Sequence, residues 1–133
     1  MPRIEPAVVP LTEPYWEATR NEVLTAQRCG ACDRFVWYPR ERCPNCLSAD
    51  LVWTDLSGEG TIYTFNVMRK PGNPMMADEI PYLIALVDLD EGIRVTTNIV
   101  GAEPESVACG QRVTVDWGVE LEDGRRLPTF RPA

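Results

Sequence analysis

Cys29, Cys32, Cys43 and Cys46 stand in the order C-x2-C-x10-C-x2-C, written CGAC and CPNC. Each pair can close a tight turn in which two thiolates and the following amides converge on one ion, and Gly30 and Pro44 suit such knuckles. Two knuckles joined by a short β excursion complete a tetrahedral four-thiolate site, the spacing of a zinc ribbon. A closed set leaves no position for water, so the expected chemistry is structural: the metal stabilises folding. Rubredoxin-type iron uses similar ligands, and the spacing leaves zinc and iron both open. Disulfides need oxidising surroundings that nothing in the chain indicates, and a thioredoxin-like motif needs a βαβ context that is absent. The fifth cysteine, Cys109, has no histidine to activate it, because the chain contains none, and reads as a small buried or loop residue.

The lack of histidine also removes Ser-His-Asp and Cys-His nucleophile pairs and imidazole bases. No pair of carboxylates is spaced for acid–base work; Asp88, Asp90 and Glu91 read as a solvated turn. Gly58-x-Gly60 falls far short of a dinucleotide fingerprint. Four groups could meet a ligand. Arg69 and Lys70 lead a loop with Pro71, Gly72, Asn73, Pro74, Met75 and Met76; cations beside adaptable apolar groups suit a phosphorylated ligand with an apolar arm. Arg34, Arg40 and Arg42 crowd the cysteines, either offsetting the metal centre's charge or clamping phosphate. Tyr63 and Phe65 alternate on a strand, as core or as stacking platforms. Arg125, Arg126 and Arg131 cluster near the end, the first two at a solvated hairpin tip.

These residues need elements to hold them. The 133 residues suit one ordinary domain or two very small ones, and 44% apolar with 25% charged is a globular balance. Residues 1 to 12, with Pro2, Pro6 and Pro10, read as an extended arm. Thr12 reads as an N-cap for a helix over 13 to 24, with Trp16, Val23 and Leu24 on one face. Leu11, Trp16 and Val23 then form an apolar partner interface. Residues 25 to 56 form the ribbon, in which Phe35 to Tyr38 is strand-like with Val52 and Trp53 beside it. Residues 57 to 133 carry five strands: Thr61 to Met68, Tyr82 to Leu89 (buried on both faces), Arg94 to Val100, Arg112 to Glu122 and Arg126 to Arg131. Asp123-Gly124 signals a hairpin. The fold class is therefore mainly β: an N-terminal helix and four-cysteine zinc ribbon, then a five-stranded OB-fold barrel. No apolar run spans a membrane and no basic-then-apolar leader opens the chain, so a cytoplasmic location is expected. Formal charge −7, with one lysine, argues against nucleic acid, and four thiolates around a dication make the loaded chain more acidic still.

The segments PYWEA, LTAQRCGAC, WYPRERCPNC, WTDLSGEGTIYTFNVMR and PYLIALVDLDEGIRVTTNIVG, together running from about residue 12 to the end, resemble one family. This is the rubredoxin-like zinc ribbon plus OB-fold family associated with acyl-CoA metabolism. The resemblance implies a tight hetero-oligomer with a thiolase-like protein that carries the nucleophilic cysteine. It implies an accessory, non-catalytic role in thiolysis, acyl transfer or retro-aldol cleavage, with the barrel helping to hold or channel an acyl-CoA ester. The zinc ligands carry over as Cys29, Cys32, Cys43 and Cys46. Phe65, Arg69 and Lys70 are the candidate CoA contacts on their chemistry. The alternative from a different class is a single-stranded nucleic-acid-binding zinc-ribbon and OB module.

Overall fold

The computed structural model describes residues 5–133, so the first four residues of the expected arm lie outside the described residues. Helix α1 spans Glu13–Arg20, with Pro14 and Glu13 in its first turn and Arg20 in its last, each at its favoured end. It stops well short of residue 24. Asn21 leaves helical geometry and Glu22 takes φ 59°, so the Val23 amide bonds back to the Ala18 carbonyl and the chain reverses. Val23 and Leu24 therefore do not share a helical face with Trp16; Leu24 enters the main core instead. Thr12 does not cap through its side chain. Its hydroxyl donates back to the Val9 carbonyl in the turn before the helix.

The ribbon sheet has strands β1 (Thr25–Cys29), β2 (Phe35–Val36) and β3 (Leu51–Asp55) in the order β2-β1-β3. The central strand is thus β1, and Val52 and Trp53 pair with Arg28 and Gln27, not with the aromatic segment. That segment keeps strand form for only two residues. Beyond it, the buried Gln27 side chain takes over the pairing: its Nε2 donates to the Arg40 carbonyl at 3.0 Å and its Oε1 accepts from the Arg40 amide at 2.8 Å. A side-chain amide mimics a strand neighbour here and ties the return loop to the sheet.

Strands β4 (Glu59–Met68), β5 (Tyr82–Leu89), β6 (Arg94–Ile99), β7 (Arg112–Glu120) and β8 (Arg126–Pro132) close a barrel in the order β4-β5-β6-β8-β7, with β6 and β8 parallel. This is the five-stranded Greek-key barrel expected. Within β4, Gly60 pairs with Leu89 on one side and Val113 on the other. A Cβ there would sit 2.7 Å from Val87 Cγ1 and 2.8 Å from the Asp88 carbonyl, so only glycine fits. Strand β5 alternates strictly, with Leu83, Ala85, Val87 and Leu89 buried and the other face half-exposed, which corrects the expectation of two buried faces. A bulge between Ile62 and Thr64 throws Tyr63 outward and breaks its alternation with Phe65 and Val67. The core is continuous across the ribbon junction: Leu24, Ala26 and Leu56 pack in one cluster with Ile62, Val87, Val113 and Phe130.

Candidate metal centre and surface clefts

The two knuckles are built alike. In the first, the Cys29 carbonyl accepts from the Asp33 amide, the Cys29 amide donates to the Arg34 carbonyl, and Asp33 takes φ 69°. In the second, Cys43 accepts from Leu47 and donates to the Ser48 carbonyl, with Leu47 at φ 64°. Left-handed residues cost conformational energy, so their recurrence at equivalent places marks two turns held by a common demand. Amides aim at the sulfurs as well: Cys32 N lies 3.5 Å from Cys29 Sγ, and Asn45 N lies 3.4 Å from Cys43 Sγ. At Gly30 the Asp50 carboxylate lies over the turn, in the space a Cβ would take.

The four Sγ atoms all lie within 4.8 Å of one another, with Cys29 to Cys46 at 3.5 Å and Cys32 to Cys43 at 3.6 Å. A tetrahedron with zinc–sulfur bonds of about 2.3 Å has edges of about 3.8 Å, so the set fits a zinc ion. Cys29 and Cys43 are buried, Cys32 is half-buried and Cys46 is exposed, which gives the ion an anchored inner side and an open outer rim. Without a cation the sulfurs compete for protons. The Arg34 backbone, then Asn45, lowers Cys32 to about 6. At Cys46 the lowering by the Ser48 backbone is outweighed by the neighbouring sulfurs, Cys29 first, and the thiol is pushed up to about 12. Four adjacent thiolates therefore require a cation, and metal binding expels the remaining protons.

Of the expected interface residues, Trp16 meets a cleft while Leu11 and Val23 do not line it. A groove of about 230 Å³ is lined by Thr12, Tyr15 and Trp16 from the helix side and Trp37, Tyr38 and Pro39 from the ribbon. The rings brace one another: Tyr15 lies 5.0 Å from Trp16 and 5.8 Å from Trp37, edge to face. Burial pushes the Tyr15 phenol well above its ordinary range, so it stays protonated.

Behind the groove, Arg125 corrects the reading of a solvated hairpin tip. It is only 4% exposed. Its Nε donates to Asp123 at 2.6 Å, its Nη1 to the Pro6 carbonyl at 2.8 Å, and Nη2 lies 3.6 Å from Glu5. Its guanidinium also covers the Trp16 ring at 5.0 Å. Arg126 is tied to the Trp117 carbonyl and Glu120, and Arg20 donates to the Asp123 carbonyl. One guanidinium thus joins arm, helix and hairpin. Sequence spacing gave no sign of it, because Glu5 and Arg125 lie at opposite ends of the chain.

The candidate CoA contacts are spread out. Phe65 packs against the barrel core. Arg69 is exposed and lies 3.7 Å from Glu105, while Lys70 is exposed without an ion pair among the described residues. The loop they lead contains a 3-10 helix, Pro74–Glu79, whose Asn73 side chain caps the Met75 amide. Its Met76 lines an open cleft of about 280 Å³ with Tyr82, Ile84, Thr96, Thr97 and Asn98 on the outer face of β5 and β6. In that cleft Met76 of the loop meets the outer face of the barrel. Tyr63 is exposed but covered by Arg94, whose guanidinium stacks at 3.5 Å and is held by Asp88. Cys109 is exposed, and no helix among the described residues is long and apolar enough to cross a membrane.

The family model described as the ChsH2 rubredoxin-like zinc ribbon domain matches residues 16–52, and the ChsH2 C-terminal OB-fold domain matches residues 53–118. A probable enoyl-CoA hydratase alpha subunit of Thermomonospora curvata is 40% identical over 119 residues, covering 90% of this chain and 36% of that protein. This chain therefore spans about a third of that relative's length. The benzoylsuccinyl-CoA thiolase subunit BbsA of Geobacter metallireducens is 30% identical over 105 residues, covering 79% of this chain and 68% of that protein. Among solved structures, a chain of the Ltp2-ChsH2(DUF35) aldolase superposes with TM-score 0.86 at 38% identity, covering 96% of this chain and 98% of that one.

Proposed function

Because this chain belongs to the ChsH2 (DUF35) family of zinc-ribbon and OB-fold proteins, we propose that it is an accessory, non-catalytic subunit of a thiolase-type acyl-CoA complex. In this reading a thiolase-like partner carries the nucleophilic cysteine and performs thiolysis, acyl transfer or retro-aldol cleavage in the cytoplasm. The observation that carries the reading is the near full-length likeness to the DUF35 chain of an aldolase, supported by the likeness to a thiolase subunit.

Each part of the chain then has a task. Cys29, Cys32, Cys43 and Cys46 hold structural zinc, which locks two turns that contain left-handed residues. The N-terminal arm and helix, with Leu11, Trp16 and Val23, contribute to the partner interface. The barrel assists the acyl-CoA ester. Its phosphates meet Arg69 and Lys70, Phe65 supports the strand from within, and the apolar arm enters the cleft of Met76, Tyr82 and Ile84. The test is an acyl-CoA cleavage assay on the zinc-loaded chain, the thiolase-like partner, and both together. Activity confined to samples containing the partner, and raised at least about tenfold by this chain, is the expected result. Cleavage by this chain alone at the rate of the complex overturns the reading.

A further inference from the structure

Eight of the described arginines, at 20, 28, 69, 94, 112, 125, 126 and 131, have a carboxylate within 4.0 Å. Arg34, Arg40 and Arg42 have none among the described residues, although the chain carries 20 acidic residues against 13 basic ones; Arg42 Nη1 donates instead to the Leu47 carbonyl at 3.1 Å. All three are exposed and all lie on the ribbon segment between the two knuckles, the segment that also supplies Trp37, Tyr38 and Pro39 to the aromatic groove. Tyr38 is 62% exposed, and its ring leans on Trp37 at 5.7 Å. The nearby acids do not neutralise the cluster: Asp33 is taken by Arg28 at 3.3 Å, and Glu41 makes no ion pair with it among the described residues. An acidic molecule that leaves three arginines without a carboxylate on the segment carrying the exposed Tyr38 and the half-buried Trp37 has the composition of an interface centre, where Trp, Tyr and Arg dominate binding energy.

We propose that the groove of Tyr15, Trp16, Trp37 and Tyr38, together with Arg34, Arg40 and Arg42 on the ribbon segment that supplies its Trp37 and Tyr38 wall, is the docking face for the partner protein. Its occupant is an apolar segment flanked by carboxylates. This rests on the partner reading above and adds which face is used and what chemistry it meets. The groove takes the apolar side chains, while the arginines steer the approach and fix the register by pairing with partner carboxylates. Its walls are held in place before binding, because Arg125 pins Trp16 from behind and Gln27 pins the Arg40 backbone. Little ordering is then left for the association itself. A nucleic acid is the poorer occupant, since three cations on a chain of charge −7 give a weak phosphate footprint.

The test compares the full zinc-loaded chain with the variant Arg34→Glu/Arg40→Glu/Arg42→Glu and with Tyr38→Ala. Each is titrated against a purified thiolase-fold protein from the same organism, at low and high salt. Zinc content and far-UV circular dichroism serve as folding controls. The triple reversal is expected to weaken binding at least about 30-fold, in line with like charges set against each other at an interface. Tyr38→Ala is expected to weaken it about tenfold or more at all salt concentrations, as a truncated hot-spot aromatic does. The neutral variant Arg34→Gln/Arg40→Gln/Arg42→Gln should flatten the salt dependence. Folded variants that bind as tightly as the parent overturn the face while leaving the thiolase partnership intact. A parent chain that does not bind the thiolase-fold protein overturns both. Tight, salt-sensitive binding of a 20-nucleotide single strand that competes with the thiolase-fold protein, or a parent dimer that the triple reversal dissociates, reassigns the face and also overturns the proposal.

Discussion

At the scale of single residues, the four clustered cysteines were legible because a shared ion would impose their spacing directly on the chain. Two CxxC turns can converge on one ion only at such intervals, and the structure brings all four sulfurs within 4.8 Å. Cys43→Ser should reduce bound zinc from about one per chain to near zero and melt the ribbon, because ligand loss removes metal-coupled folding energy; metal analysis and circular dichroism check both. A folded, zinc-retaining Cys43→Ser protein contradicts the assignment. Arg125 was not legible, since its partners Glu5, Pro6 and Trp16 come from the far end of the chain. A run of two arginines after Asp-Gly looks like a solvated turn until the fold lays the arm across it. Arg125→Met keeps the aliphatic stem but frees Glu5 and Asp123. With those carboxylates about a third exposed, a loss of about 1–3 kcal/mol is expected, below the range for fully buried pairs. Limited proteolysis should then cut the arm before the barrel, and an unchanged cleavage pattern contradicts the clamp.

At the scale of elements, the barrel strands could be read from alternation, but bulges and short helical stops could not. Tyr63 leaves the pattern because β4 must bend through a closed barrel, and α1 ends at Arg20 because Glu22 turns left-handed to send Leu24 into the core. Both follow from tertiary demands that no local period contains. The close approach at Gly60 yields its own prediction. Gly60→Ala places a methyl against Val87 and the Asp88 carbonyl and should destabilise by about 1–3 kcal/mol, as other overpacked sites do. Thermal unfolding measures it, and an unaltered Tm rules the close approach out. The strand ends also carry pH dependence. Hydrogen bonds from Arg94 and Arg112 hold the carboxyls of Asp88 and Asp90 below their ordinary range. The unfolded chain then takes up protons first, so this contribution is present above the unfolded value of about 3.9 and lost as pH falls through the folded values. Asp88→Asn should remove part of the acid-induced fall in Tm below about pH 4, and leave the curve near neutrality nearly flat.

At the scale of the whole molecule, ribbon and barrel share one apolar core through Leu24, Ala26 and Leu56, so zinc held by the four cysteines would stabilise the same unit as the barrel. The arginine distribution sharpens the same picture: the arginines of the barrel strands have carboxylate partners, while Arg34, Arg40 and Arg42 of the ribbon have none among the described residues. The absence of histidine in the sequence accords with an all-thiolate centre and with chemistry placed on another subunit. The cleft of Met76, Tyr82 and Ile84, proposed above for the acyl arm, was not legible, because it is assembled from a loop and two strands whose side chains are common in any barrel. The central claim is that this zinc-bearing chain works as a subunit of a thiolase-type acyl-CoA complex. Native mass spectrometry of the assembly isolated through the tagged full chain from its own cells tests it most directly. The predicted result is a hetero-oligomer containing this chain, one zinc per copy, and an identified thiolase-fold protein. A zinc-loaded chain recovered alone, or bound to nucleic acid, contradicts the account.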